Sequence, residues 1–151
     1  MRFSGGFNSL SVGNRTIDSE HHKLIDIVND ISQLILVDHM VALSVAIKML
    51  TDHLQEYFLI EEYIAQAVKF DFTKHRLAHQ ALSNKFQVIT DRVINQNGKL
   101  SKLERKVCID SLNEILTHHI KFDSKPLKEI LDTYLYDFSP IESQIPHVMR
   151  G

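Results

Sequence analysis

Two neighbouring segments of the chain carry side chains that could bind a metal ion. Glu61 and Glu62 lie in an apolar, helix-like stretch, and His75 and His79 follow in the next such stretch. Residues four apart share one face of a helix, so both imidazoles can point to the same place. A carboxylate and two such imidazoles on neighbouring helices are typical of a metal site inside a helix bundle.

The other predicted helices also direct polar groups inward. His21 lies one turn before Leu24 and Ile25, and the apolar period turns it to the buried side. Tyr57 falls four residues before Glu61 and shares its face. A lone histidine on an apolar face is usually a core residue, but burying this many polar groups without partners would cost several kcal/mol each. Metal coordination would compensate the cost of burying all of these groups together. The alternative is a structural bundle that binds no metal.

The composition is that of an ordinary globular domain. The chain has 151 residues, of which 44% are hydrophobic and 24% charged, so one domain with its own core is expected. A formal net charge of −2 argues against nucleic acid as the main partner. Cys108 stands alone, which excludes a disulfide framework. No signal peptide and no apolar run of ~18 residues is found, which predicts a cytoplasmic protein without a membrane span.

The apolar periodicity predicts an all-α fold. A first helix begins with Asp18 as N-cap and runs to about Val37, and a second begins near Met40 with Val45 and Met49 among its buried positions. Asn97-Gly98 ends a third helix. Ser101 and Glu104 form the capping box of a fourth.

Four helices with short connections indicate an up-down-up-down four-helix bundle. Residues 1–17 are expected to form an N-terminal arm. Pro126 interrupts the fourth helix, after which a short C-terminal helical extension resumes. The predicted domain is 1–138, and 139–151 is a tail or the start of a linker.

Four segments, in order, resemble the ligand motifs of the bacterial hemerythrins. SVGNRTIDSEHHKLIDIVNDI looks like the opening of these domains, where a ligand histidine follows an Ile-Asp pair by three positions. YFLIEEYI resembles the second-helix motif His-Phe-x-x-Glu-Glu, and HRLAH matches the third-helix pair. LNEILTHHIKFDSKPL is similar to the fourth-helix segment, which leads into His-Ile and then an aspartate. The resemblance spans about residues 9–135. The four motifs in this order are far more specific than any one of them alone.

This resemblance implies a hemerythrin-like diiron domain. Two non-haem irons would be bridged by a glutamate, an aspartate and an oxo or hydroxo group. The implied activity is binding of dioxygen or a related small oxidant, for sensing, storage or redox response. Alternatives are a regulatory redox or nitric oxide sensor acting on a signalling output partner, and a small diiron oxidase or peroxidase. Carried onto this chain, the metal ligands are His21, Tyr57, Glu61, His75, His79, His119 and Asp123.

Tyr57 departs from the family pattern, because it stands where the second-helix histidine is expected. His53 lies two turns from Glu61, ~12 Å along the axis, so we place it just outside the site. A tyrosinate can bind ferric iron, since a metal ion lowers the pKa of a coordinated acid. The other interpretation is that Tyr57 fills space and hydrogen-bonds a bridging ligand, which leaves the iron bound by His21 under-coordinated.

The fourth helix offers two adjacent histidines. His118 keeps the family's five-residue spacing to Asp123, whereas His119 continues the buried register of Leu112 and Leu116. Helix burial is the stronger constraint, so we predict His119 as the ligand, with Asp123 reaching in at i+4. His118 is then a surface residue or a residue behind the ligands.

Overall fold

The computed structural model describes residues 11–97 and 99–133, which are almost entirely helical. A π-helical turn separates the last two α-helices, and no strand occurs in these two ranges. The helices are α1 (Arg15–Val37), α2 (Met40–Ala67), α3 (Thr73–Asn95), α4 (Lys102–His118) and α5 (Lys125–Leu131), with the π-helical turn at His119–Asp123. The prediction of an all-α fold is confirmed for the described part of the chain.

The start of α1 corrects the sequence prediction. Asn14 is the N-cap, and its side-chain oxygen accepts the Ile17 amide at 2.9 Å. Asp18 lies one turn inside the helix, where its carboxylate accepts the Val12 amide at 2.8 Å. The predicted arm 1–17 therefore ends earlier, because 15–17 are helical; residues 1–10 lie outside the described ranges.

The other predicted helix starts agree with the structure. Asp38 takes the left-handed conformation, with a φ of 62°, and ends α1, and α2 begins at Met40. Ser101 caps α4 by accepting the Glu104 amide at 3.1 Å. Such side-chain caps satisfy amides that have no partner within the helix.

The four long helices enclose one apolar core. α1 packs against α2 and α4, and α3 packs against the same two helices, so the four helices surround the core. Apolar side chains from all four are buried. Val45 and Met49, which the periodicity placed in the core, are instead 57% and 54% exposed. The apolar face of α2 is wider than the surface that its neighbours cover.

The break between α4 and α5 precedes Pro126. The Ser124 amide bonds to the carbonyl of His119, five residues back, which defines the π-helical turn. Pro126 then sits in the first turn of α5, where its missing N–H removes no helical bond. The predicted helical extension is confirmed as far as Leu131, and the tail 139–151 lies outside the described residues.

No helix within 11–97 or 99–133 has both the length and the apolar character that a membrane crossing requires.

Candidate metal centre

Six of the seven predicted ligands are buried. His21 comes from α1, Tyr57 and Glu61 come from α2, and the two histidines of α3 face them. Tyr57 and Glu61 have no exposed surface at all. The buried six are His21, Tyr57, Glu61, His75, His79 and His119.

The two carboxylate oxygens of Glu61 face different partners. Oε1 contacts Nε2 of His75 and lies 2.9 Å from Nε2 of His79. Oε2 lies 2.9 Å from the Tyr57 hydroxyl and 3.8 Å from Nε2 of His21. Burial alone would raise the pKa of Glu61, but hydrogen bonds from His75 and His79 and their charges outweigh it and hold that pKa well below its usual range. Glu61 is therefore a carboxylate at neutral pH.

Four donor atoms lie close together around Glu61. Glu61, His75, His79 and His119 each offer one ligand atom, and these atoms all lie within 4.8 Å of one another. Three imidazole nitrogens and one carboxylate oxygen suit a divalent transition metal such as iron or zinc. This buried group could hold a metal ion.

Tyr57 joins the remaining polar groups. Its hydroxyl oxygen lies 2.8 Å from Nε2 of His21 and 2.8 Å from Nε2 of His119, in addition to its contact with Glu61. Burial and then the negative charge of Glu61 raise the pKa of the phenol well above its ordinary value. In the metal-free protein Tyr57 therefore carries its proton.

His21 is held neutral by the core. Burial lowers the pKa of its imidazole to about 4, because the charged form loses its hydration there. Among the described residues, its Nδ1 has no hydrogen-bond partner. Its contact with Tyr57 through Nε2 is thus the main polar contact of this side chain.

Asp123 lies behind His119 in the structure. Its Oδ2 is 3.1 Å from Nδ1 of His119, on the side of the ring away from Tyr57, and its side chain is 29% exposed. The hydrogen bond with His119 keeps the pKa of Asp123 below its usual range. A carboxylate on the outer nitrogen of a ligand histidine fixes the orientation and tautomer of the ring.

The choice of the inward histidine agrees with the structure. His119 is 1% exposed and faces the cluster, whereas the side chain of His118 is 57% exposed. The burial register therefore identified the inward ring, His119, whereas the five-residue spacing to Asp123 would have selected His118. The π-helical turn explains the conflict, because it adds a residue to the turn at this point.

Two aromatic rings support the α3 histidines and were missed in the sequence. Phe72 stacks on His75 with ring centroids 4.8 Å apart, and Phe58 stacks on His79 at 4.1 Å. Phe72 stands three residues before His75, a spacing that brings helix side chains together and could have shown the pair. No comparable signal joins Phe58 to His79, because they lie on different helices.

His53 lies outside the cluster, as expected. Its Nε2 is 3.0 Å from Oε2 of Glu20, and the other carboxylate oxygen, Oε1, accepts from Lys23 at 3.2 Å. Burial would raise the pKa of Glu20, but its contacts with His53 and Lys23 lower it overall. This pair links α1 to α2, and Oε2 of Glu56 lies 4.0 Å from the other ring nitrogen of His53.

Comparisons with protein-family models, with curated proteins and with solved structures find no match to this chain.

Proposed function

We propose that this chain is a hemerythrin-like non-haem iron protein that binds dioxygen or a related small oxidant, in sensing, storage or redox response. The observation that carries the proposal is the buried convergence of one carboxylate oxygen and three imidazole nitrogens. The order and spacing of the four motifs support iron as the metal. An up-down-up-down arrangement of the four long helices and a cytoplasmic location belong to the same proposal.

The chain's own residues prepare the site for such an ion. Glu61, His75, His79 and His119 would hold it, and Asp123 orients the His119 ring through Nδ1. Iron bound there would supply the affinity for dioxygen and the electrons for its reduction. The residues themselves exclude bulk water, since all four donors are buried.

The resemblance implies a second iron and three further ligands, which are His21, Tyr57 and Asp123. These remain predictions of the resemblance, as do an output partner and the oxidase or peroxidase alternative. The proposal that iron binds at Glu61 does not depend on the number of ions.

Metal analysis of the protein purified from cells grown with both iron and zinc tests the proposal. We expect iron in the wild-type chain and an absorption change between oxidised and reduced protein. His79→Ala should lose the metal, whereas His53→Ala, which removes a partly buried histidine outside the cluster, should keep it. Zinc in place of iron, or no metal in the wild-type protein, would refute the iron proposal.

A further inference from the structure

The hydroxyl of Tyr57 has more acceptors in reach than it has hydrogens. The Asp123 carboxylate accepts from Nδ1 of His119 at 3.1 Å, which assigns the ring hydrogen to Nδ1 and leaves a lone pair on Nε2. That lone pair and Oε2 of Glu61 both face the Tyr57 hydroxyl, at 2.8 and 2.9 Å. One hydroxyl hydrogen can serve only one of them. The metal-free cluster therefore leaves a buried acceptor without a donor.

A single ion on the α3 side removes this conflict. If Nε2 of His119 binds a metal together with Glu61 Oε1 and the α3 histidines, its lone pair no longer needs the phenol hydrogen. Tyr57 then donates to Glu61 Oε2, and its oxygen accepts the Nε2 hydrogen of His21 at 2.8 Å. Each of these contacts is then satisfied once, with one ion.

A second ion on the other side of Glu61 has a poor set of donors. Its candidate ligands are His21, Tyr57 and Oε2 of Glu61, but the phenol oxygen already hydrogen-bonds both of the others, at 2.8 and 2.9 Å. Asp123, the expected bridge between two irons, faces the outer nitrogen of His119 instead. The residues present fit one ion well and the second ion badly.

We infer that this protein binds one metal ion, held by Glu61, His75, His79 and His119, and that the Tyr57 hydroxyl takes the place of the second ion. The inference rests on the proposed metal binding and goes further by fixing the number of ions. Tyr57 and His21 form a hydrogen-bonded chain that holds Glu61 Oε2. They are positioning residues, and neither coordinates the metal.

The experiment is an anaerobic titration of metal-free wild-type protein with ferrous iron, taken to saturation. We expect one tightly bound iron per chain. After oxidation, we expect the EPR signal of an isolated high-spin ferric ion and no phenolate-to-iron charge-transfer band. Tyr57→Phe should keep one iron per chain with weaker affinity, because it loses the hydrogen bonds to Glu61 and His21 but no ligand.

The outcomes separate this inference from the proposed function. Two irons per chain in an EPR-silent oxidised pair would overturn the single-ion inference and leave the iron proposal standing. A phenolate band that Tyr57→Phe removes would show that Tyr57 is a ligand, and this also overturns it. A wild-type protein that binds no iron at saturation would overturn both. Because the stoichiometry and the spectrum are read on the wild-type chain, neither depends on a variant that folds.

Discussion

Glu61 separates two unlike halves of the buried cluster. On the Oε1 side, His75 and His79 contact one carboxylate oxygen, each with an aromatic ring stacked on it, and a nitrogen of His119 completes the group of four donor atoms. On the Oε2 side, a phenol that carries its proton hydrogen-bonds both the carboxylate and the remaining histidine. The first half could hold a metal ion, and the second half is a chain of hydrogen bonds.

The comparison shows how one residue can change what a shared carboxylate does. An imidazole at position 57 could offer Oε2 and His21 a metal-binding partner. A phenol offers one hydrogen, which Oε2 accepts, and a lone pair, which accepts from His21. The positive partner of Oε2 is then a hydroxyl hydrogen rather than a cation.

The largest difference between the halves should appear when one histidine is removed from each. His79→Ala deletes one of four proposed ligands, so iron affinity should fall about 1,000-fold. The free energy that corresponds to this loss is roughly a quarter of the binding free energy typical of a four-ligand site. His21→Ala should weaken binding only about tenfold, since it acts through Tyr57. Competition with a chelator of known affinity measures both. Equal losses would mean that His21 is also a ligand.

The next prediction concerns the metal-free protein at low pH. The pKa of His21 is about 4 in the folded protein and 6.5 when exposed, so the unfolded chain binds the extra proton between these values. Stability should therefore fall as pH drops from 6.5, by about 3 kcal/mol at pH 4, where the loss from this group levels off. Urea unfolding across this range measures it.

His21→Asn provides the control for this pH dependence. It should flatten the slope between pH 6.5 and 4, because the amide does not titrate. An unchanged slope would assign the effect to other groups, of which buried His79 is the first, since its pKa is also lowered by burial.

Metal binding should stabilise the fold through the first half alone. A ligand that binds only the folded state, present at 100 times its dissociation constant, adds about 2.7 kcal/mol to the free energy of unfolding. Ferrous iron should raise the unfolding temperature of the wild-type protein accordingly, and a chelator should reverse the shift. Iron should leave the unfolding temperature of His79→Ala unchanged. The same shift in that variant would place the ion elsewhere.

The smallest effect is expected behind the ligands. Asp123→Asn weakens the hydrogen bond that orients His119, so iron affinity should fall about tenfold. Asp132→Asn makes the same change on α5, where the carboxylate pairs with Lys128, and should leave affinity unchanged. A loss for Asp123→Asn as large as that for His79→Ala would indicate that Asp123 binds the metal itself.

Periodicity and capping chemistry could predict much of this structure. The inward position of His119 follows from its register with Leu112 and Leu116, and the start of α4 follows from the Ser101 cap. Both depend on residues within two helix turns of each other. Local sequence contains that information.

The features that could not be predicted depend on contacts between elements. Asn14 was missed as a cap because Asp18 is an equally good capping residue. In the structure Asn14 caps the helix, and the carboxylate of Asp18 accepts the Val12 amide instead. Val45 continues the apolar period of α2 but meets no covering helix within the described residues. The contacts of Tyr57 join α1, α2 and the π-helical turn, so no spacing in the sequence specifies which neighbour takes its hydrogen.

The most direct measurement is an anomalous difference map, recorded at the iron absorption edge from crystals of the iron-loaded protein. The account predicts one peak within bonding distance of Glu61 Oε1 and the Nε2 atoms of His75, His79 and His119. It also predicts that the Tyr57 oxygen remains in hydrogen-bond contact with His21. A second peak between His21 and Glu61 Oε2, or no peak among the three histidines, would contradict it.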